Sequence, residues 1–456
     1  MTKPCYPKGC EARSQACGLA SSVVSNNSDY RWNVNFNNGT TNNINDNNNA
    51  WVRLVRGPVA ALPREYQGVT VESLHRAYRA ARYAKKPSHN QMRFEAFWMD
   101  GLRDLQQRIA AGTWTPAPTN CFITTRPKAR EIHAPDFADR VVHHWLVPQL
   151  ERVFDPGFIH DSFSNREGKG THAAVTRLQG FVRQVQSGKG GGYFLQLDIK
   201  SFFNSIHRPT LWNRLKSRML SAGVPVEAQR VTHALLRHAP VHQGVVHRST
   251  PAERAAVPPH KRLENANPGC GLPIGNLSSQ FFANVYLDAL DQFVKHVLKV
   301  PRYVRYVDDF VLVHESREQL AIWQQQIEDF LRTELRLELK TDRKLLPLTQ
   351  GIDFLGYVIY PTHSRVRRRV VSHLRERLGD WQQKHVTGNH IRAGSDQLKG
   401  IRSVYGSYAG HMQHASSFRL RQGLHRRYPW LHASTGVRRK LPHRNTQLAI
   451  QFGGSQ

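Results

Sequence analysis

The chain of 456 residues has no run of about 20 apolar residues, so nothing in it reads as a bilayer-spanning helix. Its opening stretch, MTKPCYPKGCEARSQ, lacks the apolar core of a secretory signal. Cysteine is scarce and odd in number, with 5 in all. Cys5, Cys10 and Cys17 lie near the start, while Cys121 and Cys270 stand far apart. That distribution excludes a disulfide framework and leaves a reducing cytoplasm as the expected compartment. The spacing of the first three matches no standard zinc pattern. Acidic residues are also few: Asp and Glu number 34 against 64 Lys and Arg, a net charge of +30. The excess runs from about Arg53 to the C-terminus. It points to a polyanionic partner, most simply nucleic acid, and away from a membrane-embedded role.

What is present divides by composition. Residues 1–57 hold an Asn-dominated tract, RWNVNFNNGTTNNINDNNNAWVRLVRG, which reads as a partly disordered arm. Residues 58–190 begin with a helical pattern in which Leu74, Tyr78, Phe94, Phe97, Trp98, Leu102, Leu105 and Ile109 recur at three- and four-residue steps. Further on they mix short strands and helices rich in Arg and His. Residues 191–360 carry strong strand signals between helical stretches, and residues 361–456 are helical and very basic, as in RVRRRVVSHLRERLGDWQQ. A polar stretch with Gly and Pro, about 242–268, reads as a surface insertion.

The segment RYVRYVDDFVLVH, Arg302 to His314, reads as a β-hairpin with Asp308 and Asp309 at its tip. Upstream, in GGYFLQLDIKSFFNSI, a short apolar strand carries Asp198 near its C-terminal end. An isolated Asp-Asp pair is most simply an exposed turn. A carboxylate late in a buried strand, however, is costly unless it binds a metal or a full set of hydrogen bonds. If the strand pairs beside the hairpin, three carboxylates converge, and divalent cations are what would neutralise them. Mg²⁺ suits such oxygen ligands and keeps positions open for phosphate oxygens.

Four motifs in order then carry a resemblance to the reverse transcriptases. LQLDIKSFFNSI resembles the first catalytic motif of that family's palm, and GCGLPIGNLSSQFFANVYLDALDQFV the motif that supports template and incoming nucleotide. RYVRYVDDFVLV resembles the Tyr-x-Asp-Asp hairpin, and GIDFLGYVI the primer grip. The resemblance covers roughly 117–430 and implies an α+β right hand of fingers, palm and thumb, with an antiparallel palm sheet and a helical thumb. It also implies RNA-directed DNA synthesis from dNTPs with two Mg²⁺ ions, for which Mn²⁺ could substitute.

Residue by residue, the resemblance makes Asp198, Asp308 and Asp309 the metal-binding carboxylates, with Ile199 completing the ligand set. Lys128 and Arg130 resemble the fingers cations that hold the triphosphate, although a solvated basic loop would look the same. Phe203 stands where the family has its aromatic gate against a ribose 2′-OH; Phe202 beside it competes for that place, and core packing is the plainer role of either. Ile274, Gly275 and Gln280 fall in the nucleotide-supporting motif. Arg166 and Lys169, in DSFSNREGKGTHAA, resemble template contacts, and Phe354, Leu355 and Gly356 belong to the primer grip. Lys344 resembles the lysine that protonates departing pyrophosphate, with Lys340 an equal candidate.

Within the family, the form Leu272-Pro273-Ile274-Gly275-Asn276-Leu277, followed by Ser279-Gln280, resembles the enzymes of diversity-generating retroelements, as does YGSYAGHMQHASSFRLRQGL. That resemblance implies a template RNA copied with errors opposite adenine, a cDNA product that replaces part of a target gene, and an accessory variability protein as partner. An antiphage-defence, retron-like or group II intron-like reverse transcriptase is the alternative. A catalytically silent RNA-binding protein on the same fold is a third reading.

Overall fold

The computed structural model describes residues 68–431, apart from 85, 126–127, 187–190 and 389, together with strand segments at 32–35, 40–43 and 449–451. The Asn-rich arm therefore lies outside the described residues, except that Trp32–Asn35 pairs antiparallel with Thr40–Asn43.

The helical pattern near the start resolves into three helices: α1 (Val71–Arg82), α2 (His89–Ala96) and α3 (Trp98–Ala111). Thr70 starts α1 with a capping box, its Oγ1 accepting the Ser73 N–H at 3.1 Å while Ser73 Oγ accepts the Thr70 N–H at 3.1 Å. Leu74, Tyr78, Leu102, Leu105 and Ile109 enter the core as the periodicity predicts. Phe97 does not. It falls at the break between α2 and α3 and is 73% exposed, because the chain changes direction there and the periodicity restarts.

Strands β1 (Thr119–Thr124) and β2 (Arg130–Ala134) form an antiparallel hairpin, followed by α4 (Phe137–Phe154) and α5 (Thr171–Gln186). After β3 (Tyr193–Asp198) come α6 (Arg208–Ser221) and α7 (Val226–Arg237). The expected surface insertion contributes β4 (Val245–His247), which pairs parallel with β1. It therefore extends the hairpin sheet rather than standing apart from it.

Next come α8 (Leu277–Gln292), β5 (Tyr303–Tyr306), β6 (Asp309–His314), α9 (Arg317–Glu334) and β7 (Lys344–Pro347). A central antiparallel sheet runs in the order β5-β6-β3-β7. Strand alternation sends Leu195, Leu197, Phe310 and Leu312 into one core, shared with α4, α8 and α9. It sends Phe194, Val304, Val311 and Val313 into a second core, shared with α5 and with the hairpin β8 (Ile352–Phe354) and β9 (Tyr357–Ile359). An antiparallel sheet covered on both faces in this way is an α+β architecture.

A third cluster, centred on Leu374, Leu378, Leu398, Leu424 and Trp430, joins the basic helices α10 (Arg368–His385), α11 (Ser395–Gln413) and α12 (Phe418–Arg427). Among the described residues, no helix is long and apolar enough to cross a membrane.

Candidate active site

The carboxylates meet at one end of the central sheet. Asp198 ends β3 and Asp309 begins β6, and the two are register partners. The hairpin from β5 to β6 turns through Val307 and Asp308, since Tyr306 pairs with Asp309. Asp308 thus sits in the turn itself.

The turn is strained, for Val307 has φ +55°. A β-branched residue is rarely found there; a two-residue hairpin normally reserves such a position for glycine. A buried network holds it in place. The Arg305 guanidinium is 1% exposed and donates to the Val307 carbonyl at 2.9 Å. Its other donors go to Asp291 at 2.6 and 2.7 Å, Ser162 Oγ at 3.0 Å and Asn284 Oδ1 at 3.5 Å. Burial alone would discharge Arg305, but Asp291 beside it holds the guanidinium charged. Asp291 and Asn284 both project from α8, so this helix braces the hairpin. Sequence reasoning did not single out Arg305, Asp291 or Asn284; an Arg two residues before the turn is the only local signal.

Electrostatics at the site are those of crowded carboxylates. Burial pushes Asp309 up to about 7, with its Gln196 hydrogen bond opposing and Asp198, Asp308 and Asp353 adding repulsion. Burial and then Asp198 push Asp308 up to about 6, with Lys340 and Arg130 drawing it back. Arg130, at the start of β2, therefore lies within electrostatic reach of Asp308. Gln196, two residues before Asp198 and so on the same strand face, donates to Asp309 Oδ1 at 3.1 Å and to the Asp353 carbonyl at 3.0 Å.

The lysine candidates occupy different places. Lys340 Nζ lies 2.5 Å from Asp198 Oδ2. Lys344 pairs across the strands with Gln196, on the same face as the carboxylates.

The site fits a divalent cation. All its donors are oxygens, and Asp198 Oδ1 is buried without a hydrogen-bond partner among the described residues. Ile199 pairs with Leu339 through its neighbours' bonds, Lys200 N–H to the Glu338 carbonyl and Lys340 N–H to the Asp198 carbonyl, each 2.8 Å. The Ile199 carbonyl consequently points away from that segment and toward the β6 side.

Around this centre, Phe202 is buried in the core and Phe203 is left half-buried. Ile274 is half-buried, and its carbonyl accepts the His133 N–H at 2.7 Å. Gly275 has φ +120°, and a Cβ there would meet Ile132 Cγ2 at 2.9 Å and the His133 carbonyl at 3.1 Å. Gln280 lies half-buried in the first turn of α8, and Lys128 and Arg130 are exposed.

Two expectations need correction. Arg166 is buried and uses all five donors internally, on Asp155 side-chain and backbone oxygens and on the carbonyls of Ile159 and Ser162. No donor remains for a template phosphate. Lys169 is less committed, with a hydrogen bond to the His160 carbonyl at 3.0 Å and its ammonium 5.1 Å from the Phe163 ring centroid. Phe354 is fully buried in the second core, so it supports the β8–β9 hairpin from beneath. Leu355 and Gly356 form the tip, with φ of +50° and +88°.

Comparison with known proteins follows the same region. The pattern of the family described as reverse transcriptase (RNA-dependent DNA polymerase) matches residues 124–359. The group II intron-encoded protein LtrA of Lactococcus lactis subsp. cremoris is 24% identical over 319 residues, covering 60% of this chain and 51% of LtrA. The match thus spans about half the length of that relative. Protein YkfC of Escherichia coli (strain K12) is 21% identical over 308 residues, 59% of this chain and 74% of YkfC. A telomerase structure from Candida tropicalis aligns with 75% of this chain and 62% of its own at 11% identity, with a TM-score of 0.39. The fold assignment stands on the chain's own topology.

Proposed function

Because this chain belongs to the reverse transcriptase (RNA-dependent DNA polymerase) family, we propose that it copies an RNA template into DNA at the site formed by Asp198, Asp308 and Asp309. The observation that carries this reading is the convergence of the three carboxylates where β3 meets the β5–β6 hairpin. Asp198, Asp308, Asp309 and the Ile199 carbonyl would hold divalent ions, which supply clamping of the attacking and leaving oxygens in an in-line phosphoryl displacement. Lys344, on the carboxylate face, or Lys340, whose Nζ reaches Asp198 Oδ2, would give a proton to departing pyrophosphate. Arg130, with Lys128, would hold the triphosphate on the fingers side. Gly275 lets the nucleotide-supporting segment approach β2 closely, and Phe203 would stand against the ribose.

The finer reading is a diversity-generating retroelement enzyme, error-prone opposite adenine and working with a template RNA and an accessory protein. The Ile274-Gly275-Asn276 and Ser279-Gln280 forms support it. Branched, apolar Ile274 lacks the amide with which a Gln could align the incoming nucleotide, so misaligned pairs are penalised less. The name of one curated relative favours a group II intron enzyme instead.

Primer extension on an RNA template with Mg²⁺, followed by sequencing, separates these readings. Asp308→Ala/Asp309→Ala serves as the control. Errors concentrated opposite adenine support the retroelement; accurate product supports the intron-like or defence reading. No product, even with cognate RNA and accessory protein, would leave a silent RNA-binding protein.

A further inference from the structure

The β1–β2 hairpin holds a second cluster of ligand-type side chains, apart from the carboxylate centre. Cys121 and His133 are register partners on the two strands, and Glu131 lies two residues from His133 on the same face. All three are buried, with exposures of 1% for Cys121, 8% for Glu131 and 2% for His133. One ligand atom from each lies within 4.8 Å of the others, the only such grouping of His, Cys, Asp and Glu among the described residues. Cys121 Sγ is 3.8 Å from Glu131 Oε1, and His133 Nε2 is 3.2 Å from Glu131 Oε2.

The remaining contacts are those of supporting groups. Thr119 Oγ1 lies 3.3 Å from His133 Nδ1, and the Leu263 N–H donates to Glu131 Oε2 at 2.8 Å. With Nδ1 engaged by Thr119, Nε2 faces the cluster, 3.2 Å from Glu131 Oε2. A buried imidazole nitrogen, a carboxylate and a thiol gathered on one strand face make a mixed donor set of the kind that holds a transition-metal ion.

We propose that Cys121, Glu131 and His133 bind a zinc ion, with water in the fourth position. Sulfur, nitrogen and carboxylate together suit Zn²⁺ better than Mg²⁺, which prefers an all-oxygen set. The charges close: one thiolate and one carboxylate cancel the ion, and His133 stays neutral. Binding forms the zinc–sulfur bond and releases the thiol proton to solvent. Through Leu263 the site ties the hairpin to the segment after β4. Through the His133 N–H it lies next to Ile274.

The test uses the full chain, stripped by chelation and reloaded with Zn²⁺ or Co²⁺ alone. About one zinc ion per chain is expected, with a thiolate-to-cobalt charge-transfer absorption in the cobalt form. A variant with Cys5, Cys10, Cys17 and Cys270 all changed to Ser retains only Cys121 and should keep that absorption. Cys121→Ser should lose it, and its melting temperature should no longer rise with Zn²⁺. Absence of the absorption in the wild-type chain, or its loss in the fourfold variant, overturns the proposal. The first result would leave a proton-bridged Cys–Glu–His cluster; the second would place the metal elsewhere.

Discussion

Asp198 and Asp309 are register partners on adjacent antiparallel strands, and Lys340 closes on Asp198 from the opposite side. Two carboxylates are thereby held together by backbone pairing, which side-chain repulsion cannot undo without breaking the sheet. Replacing Asp309 with Asn keeps the shape and removes one charge. DNA synthesis should fall by about 10³-fold, several kcal/mol of transition-state stabilisation, while thermal stability stays equal or rises. Primer extension and circular-dichroism melting on the same preparation check both. Retained synthesis would remove Asp309 from the site.

The buried Arg305–Asp291 pair braces the strained turn at Val307. Arg305→Met leaves Asp291 buried without its ion-pair partner, with the Tyr303 hydroxyl still donating to it at 2.8 Å, at a cost of about 3–5 kcal/mol. Adding Asp291→Asn should recover part of that loss. Urea denaturation of the single and double variants measures it; equal stabilities would show that the pair is not coupled.

Gly275 is required by its approach to β2. Gly275→Ala should cost about 1–3 kcal/mol through the positive φ and the contacts with Ile132 and His133. Melting should fall by several degrees and KM for dNTP should rise. A variant with unchanged melting and KM would show that the segment can shift freely.

Asp139 offers a pH test away from the carboxylate centre. Burial pushes it up to about 7, against the Ala117 N–H, which Asp139 Oδ2 accepts at 2.7 Å. A carboxyl raised on folding binds its proton more tightly in the native state. Stability therefore falls as pH rises from about 4 to about 7, by a few kcal/mol at most. Asp139→Asn keeps the acceptor and removes the charge. It should be more stable than the parent at pH 8, with the gap closing toward pH 5. A gap independent of pH would refute this account.

Ile274→Gln probes copying accuracy. Errors opposite template adenine should decrease, read by sequencing extension products, with little change elsewhere. Unchanged errors would remove Ile274 from the explanation.

Much of the site was legible because its signals are local. Alternation in YFLQLD and RYVRYVDDFVLV predicts strands, and a carboxylate at the end of each invites the question of what neutralises it. Arg166 shows the limit. A basic residue in a Gly-bearing loop looks the same in sequence whether it faces phosphate or is buried. Its fate was decided by Asp155, 11 residues earlier, and by two backbone carbonyls. Phe354 likewise reads as part of a contact motif, yet the two-residue turn after it sends only Leu355 and Gly356 to the tip.

By itself, then, the sequence determined the strands, the carboxylates they end on, the basic character of the surface and the order of the motifs, since each depends on residues a few positions apart. Only the tertiary structure decided that Lys340 engages Asp198, that Arg305 is bound through Asp291 on α8, and that Cys121, Glu131 and His133 share one buried face with Leu263 against them. Those outcomes depend on pairing between distant segments, and a buried charge takes whichever partner the packing brings within reach.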